Sequence, residues 1–461
     1  MNMFQKPALA GSATTAYTAS GNSADSPLIK DQISPKRKFY DIVLLIGVMC
    51  CVLPGVSSSL ALPMSMLLML CIVVSFFDEN FFMYTAMLMY MRYRMLIGET
   101  PVFRLYSYLV VARFLMEIFK TRFRVAYIPA LFVIALHSLF ALPKIGNLWF
   151  GFNVIVDTTL MYIIMLQVSK ETRLMRKFIT LFMMGGLTSG IYTWLNPELT
   201  LDIHIAGAGA HKVNRSFGVL GDTNFAGLFY SLCMMCSLTI RGIPKWLRGI
   251  LPIVYLVLIL QTASLSALLI TISMAAFIIV LKFRGKSVFI LMVAFLAVVI
   301  VLSLLLTIPW FRKLDMIAGL IIRIEEKLSY IPRGRWDLLT TDRTALWGEL
   351  GSVFMKKDFW GKLIGGSVIT VMVRDEALSS SACHNSYIQS LLNFGILGTV
   401  LIYVPLLAVF AYRMYGHFSK KSGYDGEDIK MIQLVVMFAF IVFGVSVDFF
   451  VDWSLMMFYF I

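Results

Sequence analysis

Three short stretches of this sequence set groups that could act on a phosphate or a hydroxyl beside apolar runs. HKVNRSFGVLGDTNFAG, residues 211–227, carries Arg215 at the border of an apolar segment, with Asp222 and Asn224 deeper in it. Polar groups held at such depth are costly and commonly line a cavity or a pathway. The same residues also read as an arginine reaching back to a polar boundary, with Asp222 and Asn224 capping a broken helix. In IPRGRWDLLTTDRTALWGELGSVFMKK, residues 331–357, the spacing of Ala345, Leu346, Leu350 and Phe354 predicts a helix behind Asp342 as N-cap. Arg343 then falls in the first turn, where free backbone N–H groups favour an anion and a planar guanidinium can bond two phosphate oxygens. A plain Asp342–Arg343 surface pair would have the same spelling. In CHNSYIQSLLNFGILG, residues 383–398, His384 and Asn385 stand where a polar stretch becomes apolar. A histidine titrates near neutral pH and can take a proton from a hydroxyl; at a helix start it also serves as a cap or a packing residue.

The elements that must position these groups are apolar. Of 461 residues 59% are hydrophobic and 14% charged, and the mean hydropathy is +0.82, whereas a soluble globular chain runs at about 45–50% apolar and 25% charged. Apolar windows long enough to cross a bilayer recur from Ile42 onward. They do not alternate as barrel strands do. The expected fold is an all-α, polytopic membrane helical bundle of about 12–14 spans. Its candidate spans are 40–56, 59–77, 81–97, 105–119, 125–142, 149–168, 177–195, 217–240, 249–261, 265–281, 287–309, 385–412, 431–449 and 452–461. The stretch 81–97 carries Arg92 and Arg94 and also reads as interfacial; 452–461 reads as a short or re-entrant segment.

Four basic clusters orient the chain. They are Lys120, Arg122 and Arg124; Lys170, Arg173, Arg176 and Lys177; Arg241, Lys245 and Arg248; and Lys282, Arg284 and Lys286. Placed in the cytoplasm, they put loop 196–216 and the long loop 310–383 outside. Residues 1–38 are polar and then basic, and are expected to form a disordered cytoplasmic tail without a cleavable signal peptide. Four parts follow: tail 1–38, a transmembrane region 39–309, an external loop 310–383 that is partly helical (LDMIAGLIIRIEEKLSYI, ending before Pro332), and C-terminal spans 384–461. The net charge of +14 is thereby topological. No basic soluble domain with interleaved aromatics supports nucleic-acid binding. Cys50, Cys51, Cys71, Cys233 and Cys236 lie in apolar runs and read as small hydrophobes. His137 and His417 read as structural, and His204 and His211 as minor external candidates.

The order of the motifs adds to this reading. R-S-F-G-x-x-G-D-T-N from Arg215, then D-R-T-A-L-W, then G-K-L-I-G-G, then H-N-S-Y-I-Q-x-x-x-x-x-G-I-L-G resembles the O-antigen ligase/polymerase family over roughly Lys212 to Gly398, with topology alike over the whole chain. The resemblance implies a bacterial plasma-membrane glycosyltransferase working on undecaprenyl-pyrophosphate-linked glycans at the outer face. Carried onto this chain, it implies that Arg215 and Arg343 hold the donor pyrophosphate. His384 would be the general base on a saccharide acceptor. Asp222 and Asn224 match the family's D-x-N element in support, and Asn385 stands beside the base. Arg333 and Arg335 could assist or replace Arg343.

Elementary chemistry agrees with that assignment. A pyrophosphate leaving group carries its own driving force, so no ATP site is required, and no P-loop pattern appears. Two arginines can stabilise the departing charge without reorganising. Direct attack by the acceptor hydroxyl inverts the anomeric centre. No cofactor and no metal are expected, since the external face has neither D-x-D nor a clustered His/carboxylate set. Within the family, polymerisation of lipid-linked repeats is favoured over ligation of the finished glycan to lipid A-core, protein or another acceptor. Other polysaccharide-assembly proteins are conceivable partners. A transporter or flippase for lipid-linked glycans is the competing class, although no internal repeat supports it.

Overall fold

The computed structural model describes residues 35–91, 94–145, 148–196, 200–204, 212–216, 219, 221–283, 286, 289–293, 296, 307–308, 310, 314–332, 334, 343–366, 385–419, 426–445 and 459–460. The chain divides into Met1–Phe39 and Tyr40–Ile461. Of the first unit, only 35–39 are described; they open helix α1, Pro35–Val52. The expected tail, the candidate span 287–309 for the most part, and nearly all of 452–461 lie outside the described residues.

The described residues of the second unit are almost wholly helical, as the uninterrupted apolar runs require. Its helices are α2 Ala61–Val74, α3 Thr85–Met91, α4 Val102–Glu117, α5 Ile128–Ile145, α6 Leu148–Val168, α7 Thr172–Leu195, α8 Thr223–Thr239, α9 Lys245–Gln261, α10 Leu265–Phe283, α11 Asp315–Tyr330, α12 Arg343–Lys356, α13 Phe359–Ile364, α14 Ser386–Ser419 and α15 Glu427–Phe443. Two small antiparallel hairpins interrupt them: β1 Leu96–Ile97 with β2 Thr100–Pro101, and β3 Thr200–His204 with β4 Lys212–Ser216. Among the described residues, four helices are long and apolar enough to cross a membrane: Lys36–Gly55, Thr172–Leu195, Leu265–Phe283 and Ser386–Ser419. Several other expected spans form helices below that length, such as α8, α9 and α15, each of 17 residues. At 1.5 Å per residue they are shorter than the roughly 20 residues a bilayer core demands.

The core gathers around the stretch 81–91. Its residues form a 3-10 segment, Glu79–Tyr84, and then α3, and every residue from Asn80 to Met91 is buried. This departs from the interfacial reading of that stretch, because a short helix walled by its neighbours needs neither full span length nor an amphipathic face. α7 flanks α3 through Gly185 and Gly186; a Cβ on either would meet Tyr90 or Cys233 at 2.6 Å. Tyr90 Oη and Cys233 Sγ lie 3.1 Å apart, so that thiol is a packed, hydrogen-bonded group. Other buried hydroxyls pair in the same way: Ser231 with Thr271 at 2.6 Å, and Tyr255 donating to the Met183 carbonyl at 2.6 Å. Unpaired, each would carry a desolvation penalty of roughly 1–3 kcal/mol.

Candidate functional site

The basic clusters meet at one end of the helices. Arg176 forms a two-toothed pair with Asp428, Nε to Oδ2 at 3.0 Å and Nη2 to Oδ1 at 2.9 Å. The Arg241 N–H donates to the same carboxylate at 3.0 Å, and its guanidinium pairs with Glu427 at 2.9 Å. Arg173 pairs with Glu79 at 2.5 Å, and Lys177 with Asp41. Arg124 donates to Ser169 Oγ at 2.5 Å and to the Phe460 carbonyl at 2.7 Å, and Lys282 reaches the Leu238 carbonyl at 3.5 Å. Burial alone would raise the Asp428 carboxyl, yet the Arg176 guanidinium and the Arg241 N–H outweigh it and hold the group below the usual carboxylate range.

The motif elements collect at the opposite end. α8 runs from Asp222 down to Arg241, and α15 runs from Asp428 up to Gly444, whose carbonyl accepts the Ser386 N–H at 2.7 Å. The start of α8 and the start of α14 therefore both lie away from the basic loops.

At the start of α8, Asp222 is the N-cap: its Oδ1 accepts the N–H groups of Asn224 at 2.7 Å and Phe225 at 3.0 Å. Asn224 Oδ1 accepts from Ser264 Oγ at 2.7 Å. Ser264 belongs to the break between α9 and α10, where Ala263 takes a left-handed φ of 46°. Only a tight reversal justifies that conformation for a residue with a side chain. The Ala263 carbonyl accepts from Arg323 of α11, and Ile322 packs on Ala263. α11 also lies against β4, the strand that carries Arg215 opposite Leu201. Asp222, Asn224, the 262–264 break, α11 and the Arg215 strand thus form one neighbourhood. Substituting Asp222 by Ala removes the acceptor for two N–H groups. A loss of about 1 kcal/mol is expected, read as a lower Tm of the detergent-solubilised protein.

The second neighbourhood is built on the start of α14. Asn385, itself buried, caps this helix: its Oδ1 accepts the N–H groups of Tyr387 at 3.0 Å and Ile388 at 3.1 Å. The helix whose first residue is Arg343 packs on it through Leu346, Leu350 and Phe354, which share an apolar cluster with Ile388, Leu391 and Leu392. α13 then docks where α14 breaks at Gly395 (φ 66°, ψ −171°). The Gly366 N–H donates to the Leu392 carbonyl at 3.1 Å, and Lys357 Nζ donates to the same carbonyl at 2.8 Å.

Asp222, Asn224 and Asn385 are therefore placed as helix caps and cap partners, and Arg215 and Arg343 stand on a strand and a helix start in these two neighbourhoods. His384, Arg333 and Arg335 lie outside the described residues. Ser264, Arg323 and Lys357 join the site without having been singled out from sequence. The small polar T-A-S break between two apolar runs was the available signal for Ser264; nothing local marks the other two. No protein-family model matches this chain, and comparison with curated proteins gave no match.

Proposed function

We propose that this chain is a polytopic membrane glycosyltransferase. In this reading it moves an undecaprenyl-pyrophosphate-linked oligosaccharide onto a saccharide hydroxyl at the outer face of a bacterial plasma membrane, polymerising surface-glycan repeats. One observation carries the reading. The four basic loops converge at one end of the helices, while the Asp222 cap, the Asn385 cap and the helix begun by Arg343 gather at the other. That separation is the one a cytoplasmic anchor and an external reaction centre call for. The shorter helices α3 and α8 fit the same scheme, because they are largely enclosed by protein and do not each have to match the bilayer.

In the proposed reaction the acceptor oxygen attacks the anomeric carbon. The bond from that carbon to the pyrophosphate oxygen breaks, and the lipid pyrophosphate departs with the electron pair. Arg215 and Arg343 stabilise the charge that builds on it. The hydroxyl proton passes to His384. Attack opposite the leaving group inverts the centre.

His384→Ala tests this. Removing a general base costs about 10²–10⁴-fold in rate, so cells carrying only the variant, at normal membrane level, are expected to lose long surface glycan and accumulate lipid-linked repeats. Unchanged glycan would overturn the mechanism and favour a transport role. Purified protein given lipid-linked repeats alone is expected to lengthen them; turnover only after adding a different acceptor would make it a ligase.

A further inference from the structure

α13 and its flanks are apolar on the outside at a position where the described residues leave them exposed. Met355, Phe359, Trp360 and Ile364 are 68%, 69%, 63% and 54% exposed. Phe359 and Trp360 stand edge to face with centroids 5.3 Å apart. Exposure of this kind in four neighbouring large side chains marks an interaction surface.

The docking of α13 on α14 says what covers it. Gly365 and Gly395 touch backbone to backbone, so the segment sits at the height of Gly395. From Gly395 to Arg413 no Asp, Glu, Lys or Arg occurs. That stretch spans roughly 27 Å at 1.5 Å per residue, close to the ~30 Å of a bilayer core. Arg413 marks its inner limit; the charge-free run itself reaches back to residue 377, and the outer limit falls at Gly395 because none of residues 386–394 is exposed, whereas Ile396 and Leu397 are. Ile396 and Leu397, directly after the contact, are half exposed and apolar, and Val400 and Val404 continue that lipid-facing stripe. Lys356 and Lys362 stand among these exposed apolar residues, and the exposed Asp358 caps α13 through the Gly361 N–H; aromatics interleaved with cations suit the phosphate level of a leaflet. The irregular backbone at that height is satisfied, because Lys357 and the Gly366 N–H bond the Leu392 carbonyl.

We propose that residues 355–364 are an interfacial anchor seated in the outer leaflet, with Trp360, Phe359, Met355 and Ile364 at the boundary between headgroups and acyl chains. The anchor rests on the reading that α14 crosses the membrane. It would hold α12 and the Asn385 cap at a fixed height above the lipid, where the headgroup of a lipid-linked substrate arrives.

The test uses the full chain with Cys383→Ser in phosphatidylcholine vesicles; the five other cysteines are buried, so the bimane label goes to the one cysteine introduced in each variant, with the Cys383→Ser chain alone as the labelling blank. Trp360→Cys and Ile364→Cys report on the anchor, Val404→Cys on the middle of α14, and Glu349→Cys on the exposed face of α12. Lipids bear a nitroxide near the top or near the middle of the acyl chain. At 360 and 364 the shallow nitroxide is expected to quench at least about twofold more than the deep one. At 404 the order is expected to reverse, and at 349 neither is expected to quench. Quenching at 404 but not at 360 and 364, or deeper quenching there than shallow, would overturn the anchor alone. No quenching at 404 would overturn the membrane placement of α14 and the anchor together.

Discussion

A Gly395→Ala variant is expected to release α13 from α14 while leaving the rest of the fold assembled. Gly395 and Gly365 both adopt backbone angles that side chains exclude (φ 66°, ψ −171° and φ 92°, ψ −169°), which costs an L-residue roughly 1–3 kcal/mol. A Cβ at 395 would also lie 2.5 Å from the Gly365 nitrogen and 2.5 Å from the Leu363 carbonyl oxygen. Both obstacles are backbone, so neither can swing aside, and the contact has to open. Opening exposes Lys357 and Lys362 to trypsin. An opening free energy lowered by about 3 kcal/mol raises the cleavage rate roughly 100-fold where cleavage follows the open population. Gly348→Ala is the control, since a Cβ there meets nothing within 4 Å. Equal cleavage of Gly395→Ala and the parent protein would show that this contact does not hold the segment.

The second large effect lies at the other end. Asp428, its side chain 1% exposed, joins α15 to α7 and to the start of the loop after α8. Asp428→Ala removes the carboxylate that the Arg176 guanidinium and the Arg241 N–H share. Removing one partner of a buried pair costs roughly 3–5 kcal/mol, and because Arg176 is 30% exposed the low end, about 3 kcal/mol, is expected. The measurement is Tm in detergent beside Asp428→Asn, which keeps an acceptor and loses less. The pH dependence has a definite sign. The folded state holds this carboxyl below its ordinary value, so the stabilisation is complete above that ordinary value and disappears as pH falls through the lower folded one. The Tm gap between parent and Asp428→Ala is expected to stay constant at neutral pH and to narrow below about pH 4.

What was legible in the sequence was whatever local pattern encodes. The amphipathic run before Pro332 is α11, and the helix beginning at Arg343 is α12, because spacing and an N-terminal polar residue carry that information. Asp222 does cap a helix, as an acidic residue ahead of an apolar run suggests, whereas the cap of α14 is Asn385, a residue that sequence reading set beside the base and not at a cap. The β3–β4 hairpin was overlooked, although Leu201 and Ile203 alternate with Asp202 and His204; five residues are a weak alternation beside a Gly/Ala-rich loop. The break at Gly395 is hidden because apolar residues run straight through it. Arg323 bonding a carbonyl 60 residues earlier has no local signature, since that contact exists only once α11 has folded back on the end of α9. The burial of 81–91 is of the same kind: Arg92 and Arg94 just beyond it point sequence reading toward an interface, and only the surrounding helices reveal a centre.

The first turns of α7 hold a consequence for how the chain is made. Arg173, Arg176 and Lys177 find their carboxylates 94 residues earlier, 252 residues later and 136 residues earlier. Two of the three are satisfied as soon as α7 emerges. Arg176 has to wait for Asp428, an interval of about 13–50 s at a synthesis rate of 5–20 residues per second. During that time the second turn of α7 stands without the Asp428 carboxylate, and the arrival of α15 supplies it. A chain stopped anywhere before Glu427 would lack the carboxylate that takes both Nε and Nη2 of Arg176, and with it the tie between α7 and α15.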